Sequence, residues 1–131
     1  MPGNQIARRT VLRGAALAPL SAVRGSAANI AVTVGLIGTG NRGPYVAGLM
    51  AKHTAAKVVA LCDIVPEKMA RAEKTIGIEH PRKYGDLHQL LASDVDAVII
   101  ATPVYLHADH FEAAVKAGKH IYIEKPAAVD V

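Results

Sequence analysis

The sequence offers almost no sulfur for chemistry. A single cysteine, Cys62, excludes an intrachain disulfide and any metal site built from two or four thiolates of this chain. Beside Asp63 it reads as a buried small hydrophobe, so redox chemistry would need a bound cofactor. Aromatics are scarce too, with no tryptophan, one phenylalanine and four tyrosines, which leaves little on which nucleobases stack. Acid is missing from the first 28 residues, which hold Arg8, Arg9, Arg13 and Arg24. The formal charge of +4 therefore belongs to this tail, because residues 29–131 balance at 11 basic and 11 acidic side chains. A basic tail without a basic, aromatic-studded stripe argues against nucleic acid as a partner. Long apolar runs are missing as well: residues 14–23 are mildly apolar and interrupted by Pro19, against the roughly 20 residues a bilayer-spanning helix needs. Stable membrane insertion is not expected.

What the first residues do have is an order: basic, then apolar, then small. Arg8-Arg9 with Leu12 and Arg13, the apolar stretch, and Arg24-Gly25-Ser26-Ala27-Ala28 resemble a twin-arginine export signal ending in residues a signal peptidase accepts. Such a signal implies the export machinery as a partner and a periplasmic or secreted destination. The expected organisation is a signal over 1–28 and one domain over 30–131.

From residue 29 onward short apolar runs alternate with longer amphipathic ones, the pattern of a parallel sheet with crossover helices. Strands are expected at 31–37, 58–62 and 96–101, with a weaker one at 82–84 and a last one at 120–123. Helices are expected at 44–52, at 66–74 behind Pro66 and Glu67, up to Leu91 behind an Asp86 cap, and at 106–117 before Gly118. Right-handed crossovers then give an α/β, Rossmann-type, doubly wound sheet of order 3-2-1-4-5, with its crevice at the carboxyl ends of the strands. The chain ends at Val131, before the sixth strand and substrate domain of the complete fold, so a truncated chain is expected.

Gly38-Thr39-Gly40-Asn41-Arg42-Gly43 follows the first strand and opens the first helix, the context in which a G-x-G-x-x-G sequence binds a dinucleotide. The first glycine permits the turn, the second lets backbone approach a pyrophosphate, and the third lets helix and strand pack closely. The helix start presents free amides to phosphate. Asp63, 20 residues beyond Gly43, ends the second strand, where a carboxylate accepts from ribose hydroxyls and repels a ribose phosphate. It also reads as a helix cap ahead of Pro66. NAD is thus expected over NADP, with Arg42 in the phosphate loop leaving NADP open.

Two later clusters make a resemblance specific. Val95 to Pro103 with Thr102-Pro103 and then His107, Ala117-Gly118-Lys119-His120, and Glu124-Lys125-Pro126 follow the glycine loop and Asp63 in an order and spacing similar to the Gfo/Idh/MocA oxidoreductases, over essentially all of residues 30–131. The resemblance implies that Thr102, Pro103 and His107 line the nicotinamide end of the cleft. It implies that Lys125 polarises a substrate hydroxyl or carbonyl and that Glu124 helps position cofactor and lysine. His107 reads equally as a packing residue at a helix start, and Val104 stands where many relatives have asparagine. Lys125 at a strand's carboxyl end points toward the crevice, where partial desolvation and a nearby carboxylate can tune it. The implied activity is hydride transfer between a nicotinamide cofactor and a sugar or polyol, with the acid or base coming from a second domain. The alternatives are an NAD-dependent glycosidase of the same family and a fragment that binds dinucleotide without catalysis. No metal site is expected, and a homo-oligomer is compatible with the full-length protein.

Overall fold

The computed structural model describes residues 31–129. The signal-like segment with Arg8 and Arg9 lies outside the described residues. In chain order the elements are β1 (Thr33–Ile37), α1 (Arg42–His53), β2 (Lys57–Cys62), α2 (Pro66–Ile76), β3 (Arg82–Tyr84), α3 (Leu87–Leu91), β4 (Ala97–Ile100), a 3-10 turn (Val104–Leu106), α4 (His107–Lys116) and β5 (His120–Ile123). All four strand pairings are parallel and the sheet order is β3-β2-β1-β4-β5, the expected doubly wound arrangement.

Period-two alternation along the central strands feeds two cores, one on each face. Leu36, Leu61 and Ile99 join Val46 and Ala47 of α1 and Met69 and Ala72 of α2. Ile37, Ala60, Cys62, Val98 and Ile100 join Leu90 and Leu91 of α3 and Ala114 of α4 on the other. Leu36, Leu61, Leu90 and Ile100 are fully buried, and each such side chain stabilises the fold by about 1.5–3 kcal/mol through its removal from water.

Several boundaries differ from the sequence expectation for identifiable reasons. Helix α1 opens at Arg42, two residues before the expected start, which puts Gly43 and Pro44 in the first turn; proline is tolerated there because its missing N–H has no partner to lose. Helix α2 runs to Ile76, where Gly77 at φ 74° stops it. Helix α4 is preceded by a separate 3-10 turn and begins at His107. It ends at Lys116 in a Schellman closure, with Gly118 N–H donating to Val115 O and Lys119 N–H to Ala114 O around Gly118 at φ 68°. Asp86 caps α3 as expected, accepting from His88 N–H at 2.7 Å. Asp63 does not cap α2, whose N-cap is Val65; its carboxylate instead accepts the Val65 N–H in a local turn.

Candidate functional site: the carboxyl edge of the sheet

The sheet ladder continues one residue past four strands. Gly38 N–H donates to Cys62 O, Asp63 N–H to Tyr84 O, Ala101 N–H to Ile37 O and Glu124 N–H to Ile100 O. Gly38, Asp63, Ala101 and Glu124 are thereby fixed in one row at the carboxyl edge. The glycine loop, Asp63, Thr102-Pro103 and Glu124-Lys125-Pro126, scattered over nearly 90 positions of sequence (38 to 126), meet there.

The three glycines of the loop have different neighbours. Gly38 has φ +90°, and a Cβ on it would lie 2.6 Å from the Ala101 carbonyl carbon, so the loop packs backbone to backbone against the exit of β4. A Cβ on Gly43 would meet Gly38 O at 2.2 Å. Among the described residues, apart from its chain neighbours, nothing lies within 4 Å of the Cβ position at Gly40. The first and third glycines thus serve the chain's own packing, whereas the second leaves an open face. Thr39, buried between them, donates its N–H and its hydroxyl to Asp63 Oδ2, each at 2.9 Å.

Asp63 therefore holds the loop and the start of α2 at once. Partial burial works against its charge, but the Thr39 and Val65 amides, the Thr39 hydroxyl and the nearby Lys68 outweigh it and hold the carboxyl below the usual carboxylate range. A carboxylate has about four lone-pair sites and three are engaged here, so an anionic acceptor is held at the edge of the crevice. Behind it, burial together with the Asp63 and Asp86 charges pushes the Cys62 thiol up to about 11, so it stays protonated and unreactive at neutral pH.

On the other side of the crevice Glu124 is buried and accepts from Tyr122 Oη at 3.1 Å and from Arg42 Nε at 3.1 Å. Desolvation opposes its charge, yet the Tyr122 and Arg42 contacts hold the carboxyl below its ordinary range; the same contact raises Tyr122. Arg42 also lies over the Tyr45 ring, 5.3 Å from its centroid. The glycine loop and the end of β5 are thus tied through one ion pair. Lys125 is exposed beside it and its bond to Pro126 is cis.

Thr102 and Pro103 lie at the mouth of the crevice. His107 lies behind them with 1% of its surface exposed, Nδ1 2.7 Å from Pro126 O and Nε2 2.8 Å from Thr102 O. His110 Nδ1 is 3.0 Å from Thr102 Oγ1, and burial holds its imidazole below the usual histidine range. Sequence reasoning missed two members of this region. Tyr122 shares a strand face with Glu124 by period two, and His110 follows His107 by one helical turn, so both were findable by spacing alone. The Gly118-Lys119-His120 cluster, in contrast, belongs to the opposite edge of the sheet, where Lys119 Nζ donates to Ser93 O and Val95 O at 2.8 Å each.

The donor set fits NAD on the structure's own terms. Among the described residues nothing beyond its chain neighbours comes near a Cβ on Gly40, which leaves that face of the loop open to an approaching group, and the amides of residues 40–43 at the start of α1 suit phosphate. Asp63 suits the ribose diol. A fold and site of this kind define a dinucleotide-binding domain. Residues 32–131 match the Gfo/Idh/MocA oxidoreductase family, NAD-binding Rossmann fold, and the chain belongs to that family as its NAD-binding domain. It is 38% identical over 108 residues to glycosyl hydrolase family 109 protein 1 of Phocaeicola vulgatus, a match covering 76% of this chain and 23% of that protein. Among solved structures it is similar to scyllo-inositol dehydrogenase from Lactobacillus casei with NAD(H) and scyllo-inositol bound (31% identity, TM-score 0.69, 77% of this chain and 30% of that one). It is likewise similar to the WlbA dehydrogenase from Bordetella pertussis in complex with NADH and UDP-GlcNAcA (33% identity, TM-score 0.68, the same coverages). The chain spans about a quarter of the length of the curated relatives it matches.

Proposed function

We propose that this chain supplies the NAD-binding domain of an enzyme that transfers hydride to or from a sugar or polyol. The observation that carries the reading is the convergence, at one sheet edge, of an open glycine face at Gly40, the Asp63 carboxylate and the exposed Lys125. In this reading the amides of residues 40–43 and the Arg42 side chain take the pyrophosphate, Asp63 accepts from the adenosine ribose, and Thr102 and Pro103 wall the nicotinamide end. Bound NAD supplies the hydride acceptor. The Lys125 ammonium donates to the substrate oxygen, Glu124 keeps Arg42 in place through its ion pair, and a base from a separate substrate domain takes the hydroxyl proton. Asp63 favours NAD over NADP by repelling a ribose phosphate.

A second reading, an NAD-dependent glycosidase, is favoured by the names of the curated relatives, which are glycosyl hydrolase family 109 proteins. Both are tested on the whole protein. Sugar oxidation with matching growth of nicotinamide absorbance supports the first, and glycoside cleavage without net absorbance change supports the second. In either case Asp63→Ala is expected to weaken NAD by about 1–3 kcal/mol through lost ribose hydrogen bonds. A variant with unaltered affinity would leave Asp63 a loop-holding residue only. We further propose that residues 1–28 direct twin-arginine export, on the strength of Arg8-Arg9 and the apolar stretch after them; replacing both arginines by lysine should retain the protein in the cytoplasm.

A further inference from the structure

His107 is enclosed as completely as the aliphatic core, at 1% exposure, yet both ring nitrogens face backbone carbonyl oxygens. The two carbonyls belong to different loops. Thr102 O is on the exit of β4, at the nicotinamide end of the crevice, and Pro126 O is on the segment leaving β5, one residue beyond Lys125. The ring itself is carried on the first residue of α4, whose Ala114 is locked into the core. A rigid helix thus spans the gap between the two loops with one side chain. One turn on, His110 takes the hydroxyl of the same Thr102, so that residue is gripped at carbonyl and side chain together.

We infer that His107 is a positioning residue for Lys125, which it places against the nicotinamide loop by bonding the Pro126 carbonyl, and that it makes no contact of its own with cofactor or substrate. This rests on the assignment of Lys125 to the substrate oxygen. The enclosure of the ring removes direct contact, and the Nδ1 bond beside Lys125 supplies the route of action. Since a carbonyl oxygen only accepts, each of the two bonds requires a proton on its own ring nitrogen, and the bond to Pro126 exists only while Nδ1 carries one.

Two near-isosteric substitutions separate this role from simple packing. His107→Asn keeps a donor near Nδ1 and so the bond to Pro126, losing Thr102. His107→Gln keeps a donor near Nε2 and so the bond to Thr102, losing Pro126. The readout is the nuclear magnetic resonance signal of 13C-methylated Lys125, assigned by its loss in Lys125→Arg and recorded on the full-length chain without nucleotide. His107→Gln is expected to shift and narrow the Lys125 signal, while His107→Asn leaves it within a linewidth of wild type, although the two melt at similarly reduced temperatures. Equal displacement in both variants, or none in either, would overturn the inference. Independently of any substitution, the long-range proton–nitrogen spectrum of wild-type His107 should show a protonated Nδ1, and a bare Nδ1 would overturn it as well. Absence of NADH binding by the wild-type protein would strike the proposed function instead, and leaves the Lys125 comparison readable.

Discussion

The two edges of the sheet solve the same problem in different ways. At the amino edge, polar side chains finish on the chain itself: Lys119 closes on the carbonyls of Ser93 and Val95, and Asp96 accepts the N–H and hydroxyl of Thr33 at 2.8 and 2.7 Å. At the carboxyl edge the bonds of Asp63 and Glu124 are slightly longer, 2.9–3.1 Å, and they stop short of closure. Asp63 holds its loop with one of its acceptor sites left over, Gly40 leaves room that none of the described residues fills, and Lys125 stands exposed. One edge is built to hold the sheet together and the other to hold it together while leaving a place for something else. A polar side chain at a strand end is therefore informative about function only once its partners are known, and a glycine only once its missing Cβ is accounted for.

The sharpest break of this comparison is Gly43→Ala. Its Cβ would fall 2.2 Å from Gly38 O, a backbone atom that cannot swing aside, so a loss of about 3 kcal/mol in unfolding free energy is expected from overpacking, read by urea titration. Lys119→Met comes next. It removes an ammonium from two carbonyls at the amino edge and is expected to cost about 1–2 kcal/mol with NAD affinity unchanged. A weakened affinity in calorimetry would mean that the two edges are not independent.

Acid should act on the carboxyl edge in a predictable sense. Asp63 and Glu124 both have folded-state values below their ordinary ones. The stability they contribute is therefore fully present above the unfolded carboxylate values, near 4, and is lost as pH falls through the lower folded values. Asp63→Asn is expected to flatten the acid limb of a stability–pH curve, and an unchanged limb would show that the Thr39 and Val65 bonds do not depend on the charge. The smallest expected effect on the fold is that of Gly40→Ala. The Cβ has free space, so stability should move by under about 1 kcal/mol while NAD binding weakens. An affinity equal to wild type would place the pyrophosphate elsewhere.

Much of this was legible in advance because it depends on short-range patterns. Apolar runs marked β1, β2, β4 and β5, whereas β3, the Arg-Lys-Tyr segment at 82–84, had no such run and read as the weakest strand, and the strand order followed from crossover handedness. The start of α1 was not legible, because the close approach of Gly43 to Gly38 O, which places it in the first turn without room for a side chain, is made only once the loop has folded. Nor was the division of labour among the three glycines, since the motif looks the same whether a Cβ would meet backbone or open space. His107 was visible as a member of the cluster, with packing as its other reading. Its link to Pro126 spans 19 positions and needs β4 and β5 to be neighbours first. Asp63 was placed correctly at the strand end, whereas its grip on Thr39 across 24 positions had no local signature.

The buried thiol of β2 has a practical consequence. Because Cys62 is the chain's one cysteine and its thiol is pushed up to about 11, an alkylating reagent can reach a thiolate only during moments when the strand parts from its neighbours. Its labelling rate is a clock for those openings, reporting how often the middle of the sheet comes undone while the molecule as a whole stays folded. Since Cys62 O receives the Gly38 N–H and the adjoining Asp63 holds Thr39, a dinucleotide seated on that loop should slow the clock, and the degree of slowing would measure occupancy without any enzymatic turnover.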